Sequence, residues 1–522
     1  MSCRQVACLA LLALSCSAGK EAPTGPGPAD PPAFGRPELL WDRGGCATSG
    51  CGTGWYASPA LVDLDGDGAA EIVWGGGDLV ALDGSGALRW RAAGAGRIWP
   101  SPAVADLDGD GDVEIAVARA GNALTVYDAS GATVWSLAPL AEGELRTLAV
   151  ADLDGDGTRE VVAGSAARQA TEQLVAIRHD GVVLPGWPAR RTGEPGYGWG
   201  LFNENVAIAD LDGDGDQELV NPTDTHYVTA LDHAGSQLPA SPRYGAGKVW
   251  SQVGVHVDDA VDLRGWAECG VEHRPNFADS APAVGDLDGD GTPEIVIVGN
   301  VYDCSGYRSL HHAPFVLRAD RSRWATGEAD WTVLPAPPAG ASPRSEDWTV
   351  IETAVPNAVL ADLDGDGRRE ILFPSYDGRV HAYALDRTQR GSWPFDASWG
   401  GALRFASEPA VADLDGDGKA EVIVATWPPK GTSAVGQLHV LDHLGRALYS
   451  LDLPPSFPAG SWNGALGAPA IGNVDGNADV EIVLGTARGG VVAYRVPGSA
   501  RAKVLWGTGR GSLERRGTPP AP

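Results

Sequence analysis

The sequence predicts an all-β fold: a β-propeller of four-stranded antiparallel blades, eight in number, with seven as the alternative. Three observations carry this expectation. A nine-residue acidic pattern, D-x-D-G-D-G-x-x-E, is written eight times, once in degenerate form, along a chain of 522 residues. Each copy is flanked by short apolar or β-branched runs bounded by Gly, Asp and Pro, which is the grammar of strands rather than helices. The chain also exceeds one ordinary hydrophobic core, so a repeat array accounts for its length. The 43% apolar content is that of a folded protein, and 71 glycines suit a structure built of turns.

The first element is an export leader over residues 1–15. Arg4 gives a positive start, Val6 to Leu14 form a short apolar stretch, and small residues follow. That stretch is too short to span a bilayer. The segment LALSC, ending at Cys16, resembles a bacterial lipobox, which makes Cys16 the expected lipidation site. An ordinary cleaved signal is the alternative. Ser17, beside that cysteine, resembles proteins sent on to the outer membrane. The expectation is therefore an outer-membrane or cell-surface lipoprotein held by acyl chains alone, with a periplasmic or secreted protein as the alternative. Residues 16–37, rich in Pro and Gly, read as a lipid-anchored linker.

Four cysteines follow Cys16, and export implies an oxidising compartment in which they count as pairs. Cys46 and Cys51 share the loop GGCATSGCG and are expected to pair locally, leaving Cys269 with Cys304. A zinc site is the alternative, with the spacing against it.

From residue 38 to 510 the repeat has a constant order. An apolar run such as PAVAD leads into the acidic loop, and a run such as EIVW or EVVAG follows it. An alternating stretch such as LTVYD comes next, then a small turn with Gly, then a strand ending in Trp, as in ALRW and ATVW. Four antiparallel strands per unit of about 45 residues, repeated with insertions, is the propeller pattern. Both ELLW (Glu38–Trp41) and KVLW (Lys503–Trp506) suit the fourth slot of the last blade, and the N-terminal strand is the expected occupant. Residues 511–522 read as a flexible tail.

The net charge of −29 resides almost wholly at the recurring acidic positions of the eight loops. No basic stripe exists, which excludes a nucleic-acid partner. Four like charges within nine residues repel unless something neutralises them. Alternate residues of a tight loop can turn oxygens onto one point, and a hard cation such as calcium takes six to eight oxygens. Glycines at positions 4 and 6 permit the turn, and the carbonyl at position 7 can add a further oxygen. Zinc lacks its usual His or Cys ligands here, and an EF-hand would need Glu at position 12, where the first loop has Trp74.

On these loops the chain resembles the FG-GAP/VCBS repeats, the calcium-binding propeller family that includes the integrin α-subunit headpiece. The resemblance implies about seven calcium sites, with ligands at positions 1, 3, 5 and 9 and the carbonyl at 7. In order these are Asp63, Asp65, Asp67, Ala69 and Glu71; Asp106, Asp108, Asp110, Asp112 and Glu114; and Asp152, Asp154, Asp156, Thr158 and Glu160. The fourth and fifth sets are Asp210, Asp212, Asp214, Asp216 and Glu218, then Asp286, Asp288, Asp290, Thr292 and Glu294. The sixth and seventh are Asp362, Asp364, Asp366, Arg368 and Glu370, then Asp413, Asp415, Asp417, Lys419 and Glu421. The eighth, Asn473, Asp475, Asn477, Asp479 and Glu481, exchanges two Asp for Asn and is expected to bind weakly. Position 9 is Glu throughout, where integrins usually have Asp.

Strand parity places the acidic loops and the short three–four turns on one face. The long insertions, 241–280, 301–313 and 335–355, fall on the other. Loops on a rigid scaffold commonly carry binding. The candidate partner residues are therefore Trp250, Trp266, Tyr302, Tyr307, His311, His312 and Trp348, with His256 nearby. No GxSxG, HExxH or phosphate-loop motif is present, and no catalytic residue is assigned. The expected function is a non-catalytic calcium-stabilised propeller on the cell envelope, monomeric, binding a protein or glycan through the insertion face. The alternative is a polysaccharide lyase or another carbohydrate-active enzyme of the same fold.

Overall fold

The computed structural model describes residues 32–45, 56–167, 172–195, 200–268, 271–302, 311–327, 329–345, 354–398, 401–457 and 462–520. Eight small antiparallel sheets make eight blades, so the seven-bladed alternative is set aside. In blade one the strands Ala60–Val62, Glu71–Gly75, Leu79–Leu82 and Leu88–Ala92 pair in chain order, and the second strand begins at the loop's glutamate. First strands of successive blades touch one another around the ring and therefore line its axis. Second and third strands are wedged between neighbouring blades and buried on both faces, which is why EIVW and LVAL read as continuous apolar runs. The fourth strand is the outer one, and Leu88–Ala92 alternates between exposed and half-buried positions.

The expectation of four strands in every blade is corrected. Blades three and four have three-stranded sheets, and their fourth strands shrink to isolated bridges such as Leu174 with Ala189 and Leu231 with Gln237. Proline explains this: Pro185, Pro188, Pro239 and Pro242 fall in the slot and cannot donate to a ladder. In blade five, Arg274–Asn276 and Ala283–Gly285 share one edge of Glu294–Tyr302, while His311–Leu317 takes the other.

A tryptophan at the outer end of most blades ties it to the next. The indole N–H groups of Trp41, Trp90, Trp135, Trp187, Trp331 and Trp393 donate to the three–four turns of the following blades, at 2.7 to 3.1 Å. The turn glycines make room for these rings. A Cβ on Gly131 would lie 2.6 Å from the Trp90 ring, and one on Gly445 would lie 2.7 Å from Trp393.

The ring is closed twice. Glu38–Gly44 pairs antiparallel with Gly490–Arg495 and becomes the outer strand of blade eight, as expected. Lys503–Trp506 instead pairs with Ala410–Asp413, the innermost strand of blade seven. From there the chain crosses the central channel, which corrects the expected loose tail after Arg510. The carbonyls of Leu513, Glu514, Arg516 and Gly517 accept N–H bonds from Val104, Val150, Ile208 and Val284, in the first strands of blades two to five. Two fully buried arginines complete the hub. Arg510 donates to the carbonyls of Val206 and Pro282, and Arg515 to those of Pro102 and Gly509. The expected linker also ends early: the N–H of Ala33 donates to Asp415 at 2.9 Å, and Phe34 is buried beside Tyr449.

Removing residues 507–522 strips partners from buried first-strand N–H groups, each worth about 1–3 kcal/mol when left unmade. The truncated protein is expected to melt several degrees or more below the full chain. An unchanged melting temperature would show that the hub adds nothing to stability.

Candidate metal loops and the opposite mouth

One backbone hydrogen bond recurs in every acidic loop and fixes its turn. Oε2 of the position-9 glutamate accepts the N–H of position 2 in all eight, as in Leu64 to Glu71 at 2.8 Å and Leu414 to Glu421 at 2.9 Å. The position-1 aspartate spans the two glycines: Asp63 accepts from Gly66 at 2.7 Å and from Gly68 at 2.9 Å. Both glycines have positive φ, 75° and 91°.

This turn brings positions 1, 3 and 9 together. Asp63, Asp65 and Glu71 offer oxygens within 4.8 Å of one another, as do Asp106, Asp108 and Glu114, and Asp152, Asp154 and Glu160. Asp210, Asp212 and Glu218, and Asp286, Asp288 and Glu294, do the same, and the described residues hold seven such groups that can hold a metal ion. Position 5 is placed differently: its Oδ1 accepts the N–H of position 7, as in Ala69 to Asp67 at 2.8 Å and Lys419 to Asp417 at 2.8 Å.

The position-9 glutamates carry the electrostatic cost. Burial, followed by the three neighbouring aspartates, pushes Glu160, Glu218, Glu294 and Glu370 up to about 7 and Glu421 up to about 8. In loop three, Oδ1 of Asp152 and Oδ1 of Asp154 are buried without any hydrogen-bond partner, as is Oδ1 of Asp364 in loop six. Loops one and eight contain a cation of their own. Arg89 reaches Asp65 at 2.5 Å and pairs with Glu71, while Arg495 pairs with Asp475 and stands 3.7 Å from Glu481. Nothing in the loop pattern announces these arginines, which arrive from strands later in the same blade.

Five loops are also stitched to the preceding blade. The N–H of position 8 donates to that blade's loop: Arg159 to Leu107, Gln217 to Leu153, Arg369 to Leu287, Ala420 to Leu363 and Ala70 to Asn473. Loop five has Pro293 at this position and cannot make the bond.

At the other end of the first strands, a belt of polar side chains circles the channel mouth. Ser58 accepts from Ala468 N–H, Ser101 from Ser58 N–H, and Glu204 from Ser101 N–H at 2.6 Å. Asn205 donates to the carbonyls of Phe277, Ala278 and Ser280; Asn357 accepts from Ala281 N–H and donates to Glu408. Glu408 then holds Trp506 and the Arg510 N–H. The sequence reading missed this belt, although a signal exists: a polar residue stands just before the first strand in SPA, NVA, NAV and EPA. Above it opens a small cleft with about 30 Å³ of room for water, bordered by Tyr56, Trp99, Arg146, Phe202, Glu204 and Asn357.

The candidate partner residues separate. Trp250 is fully buried in the core between blades four and five, and His312 is buried against Tyr376, so neither offers a surface. His256 is buried on Asp262, which also pairs with Arg321 at 3.2 Å and Arg323 at 3.1 Å. The 241–280 insertion is therefore a small satellite core. Trp266 is 56% exposed, and Tyr302 and His311 are half-buried. Tyr307, Trp348, Cys16, Cys46, Cys51, Cys269 and Cys304 lie outside the described residues. Among the described residues no helix is long and apolar enough to cross a membrane.

Comparison with known proteins places the repeats. The model of the FG-GAP-like repeat matches residues 106–163 and 362–424. Rhamnogalacturonan endolyase YesW of Bacillus subtilis (strain 168) is 25% identical over 303 residues, covering 52% of this chain and 45% of that protein. Rhamnogalacturonan exolyase YesX of the same organism is 26% identical over 279 residues, 48% of this chain and 40% of that one. The chain thus spans less than half the length of the curated relatives it matches. The crystal structure of the exotype lyase YesX aligns with a TM-score of 0.49 at 16% identity, covering 86% of this chain and 72% of that chain. This chain carries FG-GAP-like repeats, set in an eight-bladed β-propeller.

Proposed function

We propose that the chain is a calcium-stabilised propeller, exported and anchored through Cys16, that binds a protein or glycan partner on the face opposite its acidic loops. The observation that carries the reading is the division of labour between the faces. One holds the carboxylate loops and short turns, and the other holds the described parts of the long insertions together with the cleft at the channel mouth. The donor set suits calcium: hard oxygens only, three carboxylates converging, and buried oxygens in loops three and six with no partner. Its role would be structural. The ion would cancel the repulsion within a loop, and the stitch to the next blade would pass that rigidity around the ring.

A second reading, a polysaccharide lyase, is favoured by the two curated relatives, which are rhamnogalacturonan lyases. Arg146 at the mouth is a cation that can neutralise a uronate carboxylate.

Calcium is expected to raise the melting temperature by many degrees over chelated protein, since a ligand that binds only the folded state stabilises it. The pH dependence is specific. Glu160, Glu218, Glu294, Glu370 and Glu421 have folded-state pKa values above the unfolded one, so in metal-free protein the stability they contribute is full below the unfolded glutamate value and is lost as pH rises through about 7 to 8. The gap between loaded and chelated melting curves should widen from pH 5.5 to pH 8. A gap that stays constant or narrows would remove the glutamates from the sites.

Function itself is tested by glycan array and envelope pull-down, alongside incubation with acidic polysaccharides followed by absorbance of unsaturated product. Binding without turnover is the expected result, and turnover would replace it with the lyase reading.

A further inference from the structure

We propose that loops one and eight hold an arginine in the place of a metal ion, so that the ring takes up ions in loops two to seven and closes through a seam that needs none. The inference rests on the calcium reading above and says which loops it covers.

In every loop the position-9 glutamate gives Oε2 to a backbone N–H, which leaves Oε1 as the oxygen it can offer to a cation. In loop one that oxygen is taken. Arg89 sets one guanidinium nitrogen against Glu71 Oε1 and another against Asp65 Oδ2, the latter at 2.5 Å. In loop eight Arg495 engages the same two positions: it donates to Asp475 Oδ2, and its Nε stands 3.7 Å from Glu481 Oε1. The guanidinium thus brings its charge between the carboxylates that converge in each loop. A divalent ion bound there would meet a like charge at close range, so arginine and metal exclude one another.

The two arginines come from different strands. Arg89 lies in the fourth strand of blade one, Leu88–Ala92, whereas Arg495 ends the third strand of blade eight, Gly490–Arg495. Two separate positions of the chain therefore reach one place, which the repeat alone does not deliver. Other arginines close by turn elsewhere. Arg178 and Arg318 also stand at the end of a third strand, but they donate to Asp180 and to the Ala325 carbonyl. Arg390 touches Asp364 of loop six at 3.4 Å, and Asp364 Oδ1 stays buried without a partner.

Loop eight has a second reason to refuse a metal. Asn473, at position 1, gives its Oδ1 to the Gly476 N–H at 2.8 Å and donates its amide nitrogen to the Asn477 carbonyl. An amide nitrogen offers a hard cation no lone pair where an aspartate would offer a second oxygen.

These loops are neighbours. The N–H of Ala70 donates to the Asn473 carbonyl at 2.9 Å, and blade eight is the blade that Glu38–Gly44 completes. The arginine-filled pair thus marks the place where the circle is joined.

The test is elemental analysis of the full chain loaded with calcium and exchanged into buffer that strips loosely held ions. Six calcium ions per chain are expected, one for each of loops two to seven. Asp65→Ala and Asp475→Ala should leave that number unchanged, while Asp154→Ala in loop three lowers it by one. Arg89→Gln frees a loop that keeps all its acidic residues and should raise the number by one. On chelation, hydrogen exchange should quicken at the N–H groups of Leu153 and Leu414 and stay slow at those of Leu64 and Val474. A wild-type count above six, an ion lost with Asp65→Ala or Asp475→Ala, or equal quickening in all four loops would overturn the inference and leave the calcium reading intact. A wild type that binds no calcium would overturn both.

Discussion

Carboxylate oxygens stand within 4.8 Å of one another at seven places around one face, and five of the acidic loops are hydrogen-bonded to the blade before them. Geometry and charge are in tension there. The backbone gains a fully satisfied turn only by bringing like charges together, and burial of the ninth-position glutamate makes the tension worse. Where an arginine reaches in, as in loops one and eight, the chain resolves part of it internally. In loops three and six three buried oxygens are left without a hydrogen-bond partner, and in the proposed reading a cation supplies it.

The other face meets the opposite condition. Its groups are neutralised inside the protein by the polar belt and by two arginines of the hub, whose buried guanidinium groups face Glu204 and Glu408. One end of the axis is thus an electrostatic problem open to solvent ions, and the other is a closed network.

Much of the ring was legible in the sequence because its period is rigid. The acidic loop fixes where the second strand starts, alternating runs fix the third, and Trp90 and Trp135 mark the fourth through contacts that recur in blade after blade. What could not be read is what breaks the period. Prolines at 185, 188, 239 and 242 dissolve two outer strands. Trp250 and His312 look like binding aromatics but are buried, since burial in an insertion depends on distant residues such as Phe315 and Tyr376. The hub was invisible for another reason. The sequence GTGRGSLERRGTPP is polar and turn-rich, as a tail would be, and only the free N–H edges of the first strands turn it into structure.

Closure by two distant segments has a consequence for biogenesis. The strand Glu38–Gly44 has no partner until Gly490–Arg495 has been synthesised, and the axis stays hollow until the hub follows. A nascent chain crossing a membrane would therefore expose the apolar edges of seven blades before the circle is complete. Pairing of segments this far apart in sequence closes a very long loop, which is slower than the local hairpins within each blade.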